Sequence, residues 1–160
     1  MFIGMDKGNV RNSDPNDIAD ELAQIGLHTE REAKAHVYFS IMDPPKQDAE
    51  TVFGIPEAEL NEELENAEAK FTVADMTIDV LNDERTSGKK VTMFANVGLL
   101  SEDEAKAYVH SDRLDDSNLM EYLGESMSRI EQRNERAQEK IKRAYRLTDF
   151  RDEYKGVQIS

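Results

Sequence analysis

Cysteine and tryptophan are both absent from the 160 residues. Without cysteine there is no disulfide framework, no thiolate nucleophile and no thiolate zinc site. Glycine (8) and proline (4) are scarce, which leaves little of the punctuation that closely spaced strands need. No apolar run approaches the roughly 18 residues of a membrane span, and the opening MFIGMDKGNVRNSDP is too short and too polar for a secretory leader. The chain therefore reads as soluble and cytoplasmic, with no membrane partner. Phosphate-cradling glycine loops, zinc spacings and nucleophile elbows are missing, so no enzyme, cofactor or metal is expected. Basic residues are outnumbered, 20 Lys and Arg against 34 Asp and Glu, for a net charge of −14. A chain so acidic needs a local basic patch to hold nucleic acid. Such a surface is also the general rule among proteins of halophiles. The excess is lopsided: residues 1–86 hold 7 basic and 20 acidic side chains, and residues 87–160 hold 13 and 14.

What the chain does have is an internal repeat. AQIGLHTEREAKAHV at Ala23–Val37 returns as ANVGLLSEDEAKAYV at Ala95–Val109, with nine of fifteen positions identical at an offset of 72. A repeat sets the architecture. It also lets one copy serve as a control on the other, since a residue needed by the fold should occur twice.

Glu, Ala, Lys and Arg dominate long stretches, and the periodicity is helical. Ser13-Asp14-Pro15 predicts a capped helix start, Ile18, Leu22 and Ile25 share one face, and Gly26 ends the helix. Thr29-x-x-Glu32 and Ser101-x-x-Glu104 are capping boxes, each opening a helix of about ten residues. Glu30/Lys34 and Glu102/Lys106 are helix-supporting i,i+4 pairs. Breaks at Asp43-Pro44-Pro45 and Asp115-Asp116-Ser117 precede short helices carrying Ala49, Val52 and Phe53, or Leu119, Tyr122 and Leu123. These close at Gly54 and Gly124, where the offset has fallen to 70. Long third helices start near Pro56 and Ser126. Residues 85–93 join the copies, with Ser87-Gly88 as linker and Lys89–Met93 extended.

The first long helix carries Leu60, Leu64, Ala67, Phe71, Ala74, Ile78 and Leu81 in heptad steps. The second carries Met127, Ile130, Ala137, Ile141, Ala144 and Thr148, interrupted at Asn134. Such a seam predicts burial against the partner repeat, or a homo-oligomer through Leu60, Leu64, Phe71 and Ile78. The fold class expected is all-α: two tandem helix-turn-helix units, residues 1–86 and 87–160, packed together by their long third helices.

The phrase LxxIGLxTExEAKAxV, a short helix ending FGI, and a long helix with NAEAKF resemble archaeal helix-turn-helix regulators. The similarity is to TrmB-like winged-helix domains and to haloarchaeal sigma-factor region-four-like domains, over Leu22–Leu81 and more weakly Phe94–Thr148. It implies double-stranded DNA as partner, contact through the start of the third helix, and transcriptional regulation of archaeal or archaeal-virus type. Only the second copy has the charge for it. Arg129, Arg133, Arg136, Lys140 and Arg143 form a stripe in helical steps, where the first copy has Glu59, Glu63, Asn66, Lys70 and Val73. Arginine contacts phosphates and reads guanine edges. Two other uses fit the same stripe: a solvated, salt-bridged surface with Glu131, Glu135 and Glu139, or a complement to the acidic first copy. The corresponding alternative function is a non-enzymatic interaction or assembly module, such as a viral structural or packaging adaptor. Glu32-x-x-x-His36 has metal-pair spacing, but Tyr108 replaces His36 in the second copy, so a packing role is expected. The carboxylates Glu57, Glu59, Glu62, Glu63, Glu65 and Glu68 crowd a helix start, where the dipole favours them.

Overall fold

The computed structural model describes residues 14–156, and every regular element among them is helical. Four helices form the first repeat: α1 (Pro15–Ile25), α2 (Glu30–His36, running on as a π-helical segment Val37–Ile41), α3 (Ala49–Phe53) and α4 (Glu57–Leu81). The second repeats the order with α5 (Ser87–Val97), α6 (Glu102–Ser111), α7 (Asp116–Leu123) and α8 (Met127–Tyr154).

Local chemistry sets most of the boundaries. Asp14 caps α1 by accepting from the Asn16 amide at 2.9 Å, and Pro15 takes the first turn, where no N–H is missed. Ser13, also expected at this start, lies outside the described residues. Gly26 and Gly98 close α1 and α5 at φ 100° and 91°, a left-handed conformation that side chains resist. Both capping boxes form. Thr29 Oγ1 accepts from the Glu32 amide at 3.1 Å while Glu32 accepts from the Thr29 amide at 3.0 Å. Ser101 and Glu104 reproduce this at 3.1 and 2.9 Å.

One expectation fails. Residues Ser87–Met93 are not a linker followed by extended chain but the opening of α5. The helix buries Val91 and Phe94 on one face and half-buries Val97, and this gain outweighs the roughly 1 kcal/mol that Gly88 costs a helix. Carried upstream, the offset of 72 places α5 opposite α1, so the repeat begins one helix earlier than its similar phrase suggests.

The chain divides into two compact units. One comprises the described residues up to Thr72 and those from Arg146 onward; the other is Val73–Tyr145. Each unit therefore contains the closing turns of the other repeat's long helix. In the first unit Ile18, Leu22, Val37, Leu60, Phe71, Leu147 and Phe150 are buried. In the second, Val80, Val91, Phe94, Leu100, Ala105, Ala137 and Ile141 form one core cluster, and Ala107, Leu119 and Ile130 another.

The heptad seam is buried within the chain at Leu60, Ala67, Phe71 and Ala74 and at Ile130, Ala137, Ile141 and Ala144. It then drifts. The next buried positions are Thr77 and Val80 in α4 and Leu147 and Phe150 in α8, while Ile78, Leu81 and Thr148 are half-buried. Two steps of three rotate the buried face backwards around the helix, since 3.6 residues make a turn. The rotation falls at the same place in both copies, where each helix passes from one unit into the other. Of the residues assigned to a homo-oligomer seam, Leu60 and Phe71 are thus buried by their own chain, and Leu64 and Ile78 are half-buried.

Candidate functional site

The second repeat's long helix carries the basic stripe, and its five residues have different surroundings. Lys140 Nζ donates to Glu104 Oε1 at 2.7 Å. Burial alone would push the Glu104 carboxyl up, but Lys140 and the Ser101 amide outweigh it and hold the pKa below the usual value. The first repeat contains the same contact: Lys70 reaches Glu32 at 2.9 Å and the Leu27 carbonyl at 2.7 Å. There too burial pushes the carboxyl up, and the Thr29 amide and Lys70 outweigh it and hold Glu32 low. A lysine tying the capping-box glutamate to the long helix occurs twice, so it serves the fold.

Arg133 is paired with Glu125, and its other arm lies 3.7 Å from Asp103. The equivalent of Asp103 is Arg31, and the equivalent of Arg133 is Glu63. Those two also meet, at 3.9 Å, with Arg31 reaching Glu59 at 3.2 Å as well. The bridge between the second helix and the long helix is thus present in both repeats with its charges exchanged. Arg143 lies 3.7 Å from Glu139 on its own helix. Arg129 and Arg136 are exposed and form no salt bridge among the described residues. Lys142 and Arg146 are likewise exposed. The stripe is continuous in sequence, but three of its five members are already engaged with carboxylates.

Beside Arg133 lies a cavity of about 440 Å³, walled by α5, α6, α7 and α8. The volume is in the range of small-molecule sites. Val91, Ala107, Leu123 and Ile130 give it an apolar side; Glu102, Asp103, Lys106, Glu125 and Arg133 line the rest. His110 is 3% exposed and also lines it. Tyr122 packs its ring edge against His110, centroids 4.8 Å apart, and is itself 62% exposed. No sequence signal singled out this cavity, because its residues come from four helices. The comparison of copies offers one in hindsight: Asn16, Tyr38, Val52 and Ile55 of the first repeat become Gly88, His110, Tyr122 and Glu125.

The remaining histidines belong to the first unit. His36 Nδ1 lies 2.8 Å from Glu68, and its ring packs on Phe71 at 4.5 Å. The hydrogen bond from His36 keeps the Glu68 carboxyl low. His28 is buried, with Nε2 2.8 Å from the Ala67 carbonyl and Nδ1 without a partner. Burial pushes its pKa down to about 4. Glu32, the other half of the metal-pair spacing, is bound to Lys70 at 2.9 Å. Among the described residues no group of three or more His, Asp and Glu side chains is placed to hold a metal, and no helix is long and apolar enough to cross a membrane. Comparison with protein-family models, with curated proteins and with solved structures finds no match for the chain.

Proposed function

We propose that the chain is a non-enzymatic interaction module whose two helix-turn-helix-like repeats act as a scaffold. The exchanged ion pair carries this reading. Arg31–Glu63 and Asp103–Arg133 are one structural contact in two charge states, so the change from glutamate to arginine is compensated across the contact rather than presented to a phosphate backbone. Lys140 has a scaffold counterpart in Lys70. The exposed surface at the start of α4 is largely carboxylate: Glu62 and Glu65 stand beside Glu57, which accepts from Tyr38, and Glu59, which pairs with Arg31. It favours a basic protein surface as partner through charge complementarity.

A second reading, the archaeal-type DNA-binding regulator, is favoured by Arg129 and Arg136, which are exposed and without a salt bridge among the described residues. One titration separates the two. A fluorescent duplex is titrated at low salt with the wild-type chain and with Arg129→Glu/Arg136→Glu. Under the module reading the wild type leaves the duplex free, or binds it no better than the variant does. Binding that the variant abolishes, and that falls steeply with salt (log K against log salt with a slope of roughly −0.9 per phosphate neutralised), would establish the DNA reading instead.

A further inference from the structure

We propose that the cavity of the second repeat binds a small apolar amide, neutral or carrying an ammonium group, whose carbonyl accepts a hydrogen bond from the imidazole of His110. Four observations lead there.

The cavity lies where the repeats part company. In the first repeat Asn16 donates its side-chain amide to the Val52 carbonyl at 2.9 Å, stitching α1 to α3. Gly88 occupies the same second position of α5, and a methyl group built on it would meet nothing within 4 Å. The stitch is missing and the space beside it is the cavity. Tyr38 fills the first repeat near this point, with its ring 6.5 Å from Phe53 and its hydroxyl donating to Glu57 at 3.3 Å. Its counterpart His110 is smaller.

His110 has a defined tautomer. Arg113 Nη2 lies 3.1 Å from Nδ1. A guanidinium only donates, so Nδ1 accepts, and the neutral ring carries its proton on Nε2. Burial first, then Arg113 and Lys106, hold the pKa of His110 below its ordinary value, which keeps the ring neutral. Nε2 has no partner among the described residues, yet it is not one of the polar atoms sealed from solvent. A nine-tenths-buried side chain that lines the cavity thus keeps an N–H donor without a partner among the described residues.

The charges select against anions. Three carboxylates face two cations around the cavity, and both cations are engaged: Lys106 with Glu102 at 3.2 Å, and Arg133 with Glu125 and Asp103. A carboxylate or phosphate would find no free cation, whereas an ammonium would find carboxylate oxygens with lone pairs to spare. The apolar side, from Val91, Leu123 and Ile130, suits an aliphatic group.

The test uses leucinamide as probe, with leucine and 4-methylpentanoate as zwitterionic and anionic controls, titrated into the isotopically labelled full chain by NMR. Leucinamide is expected to shift the amides of Gly88, Ala107, Tyr122 and Leu123 and to bind at least tenfold more tightly than 4-methylpentanoate. Gly88→Asn, which restores the first repeat's stitch, is expected to weaken binding tenfold or more while the thermal melt is retained. His110→Gln, which keeps a donor, is expected to bind better than His110→Leu. Absence of any shift at tens of millimolar, tighter binding of the anion, or full affinity in Gly88→Asn would each overturn the proposal. Should Gly88→Asn fail to fold, the order of the two His110 variants decides.

Discussion

His28 makes stability depend on pH in a way that the second repeat, with Leu100 at the equivalent place, does not. The ring is 5% exposed and its pKa has fallen from 6.5 to about 4, chiefly through burial, with Lys70 and His36 acting in the same direction. A folded-state pKa below the unfolded one gives stability that is whole above pH 6.5 and is lost as pH falls toward 4, because the unfolded chain takes up the proton first. The full shift corresponds to about 3 kcal/mol, of which about 2 kcal/mol is gone by pH 5. His28→Leu removes the effect by installing the residue that the second repeat buries at 1% exposure. It sacrifices the 2.8 Å bond to the Ala67 carbonyl, worth about 1 kcal/mol, and removes an unpartnered buried Nδ1, which costs about 1–3 kcal/mol. At pH 8 the variant should therefore lie between about 0 and 2 kcal/mol above the wild type in stability. Between pH 8 and pH 5 it should gain about a further 2 kcal/mol on the wild type. Urea unfolding followed by circular dichroism at pH 8, 6.5 and 5 measures the difference. The carboxyls of Glu32, Glu68 and Glu104, all held low in the fold, are present in both proteins and largely cancel. Parallel stability profiles for the two chains would refute the assignment of a buried, neutral His28.

The exchanged bridge is tested by a double-mutant cycle. In a Glu125→Ile background, which removes the other partner of Arg133 and installs the first repeat's residue, Asp103→Arg and Arg133→Glu should each destabilise by up to about 1 kcal/mol, and their combination, which copies the Arg31–Glu63 pair, should recover most of the loss. Additive losses would show that Asp103 and Arg133 do not interact. In the capping boxes, Thr29→Ala and Ser101→Ala should each cost about 1 kcal/mol in thermal unfolding, since each leaves a helix-start amide without its acceptor; a cost confined to one repeat would show that the boxes are not equivalent.

Short-range chemistry made the helices legible. Thr29, Ser101, Gly26, Gly98, Gly54 and Gly124 act on backbone groups within a few residues, and the helix boundaries fall where they direct. Two features escaped because they depend on distant packing. Ser87-Gly88 looks like a linker until Val91 and Phe94 are known to be buried. The drift from Ala74 to Thr77 and from Ala144 to Leu147 escaped because Ile78 and Thr148 continue the heptad in sequence, while each helix buries a different face once it enters the other unit. The stripe Arg129–Arg143 was visible as a pattern on one helix. Its engagement was not, because Asp103 and Glu104 lie across helix α6 at separations of 30 and 36 residues from Arg133 and Lys140.

Charge divergence between repeats is a weak guide to function when the diverged residues touch each other. A bridge such as Arg31–Glu63 gains modest energy at the surface, and that energy is unchanged when both signs are reversed. A duplicated chain can therefore pass from one arrangement to the other through a single mild intermediate, with no partner selecting the result. The substitutions around the cavity lack this symmetry. Asn16 to Gly88 removes a hydrogen bond to Val52 without installing another, and Tyr38 to His110 exchanges a hydroxyl bound to Glu57 for a ring that takes Arg113 at Nδ1 and leaves Nε2 with no partner among the described residues. Each gives up a contact that the first repeat retains. Losses left uncompensated by the fold, as at Gly88 and at His110 Nε2, are where selection for something outside the fold has the most to explain, and in this chain both residues line one cavity.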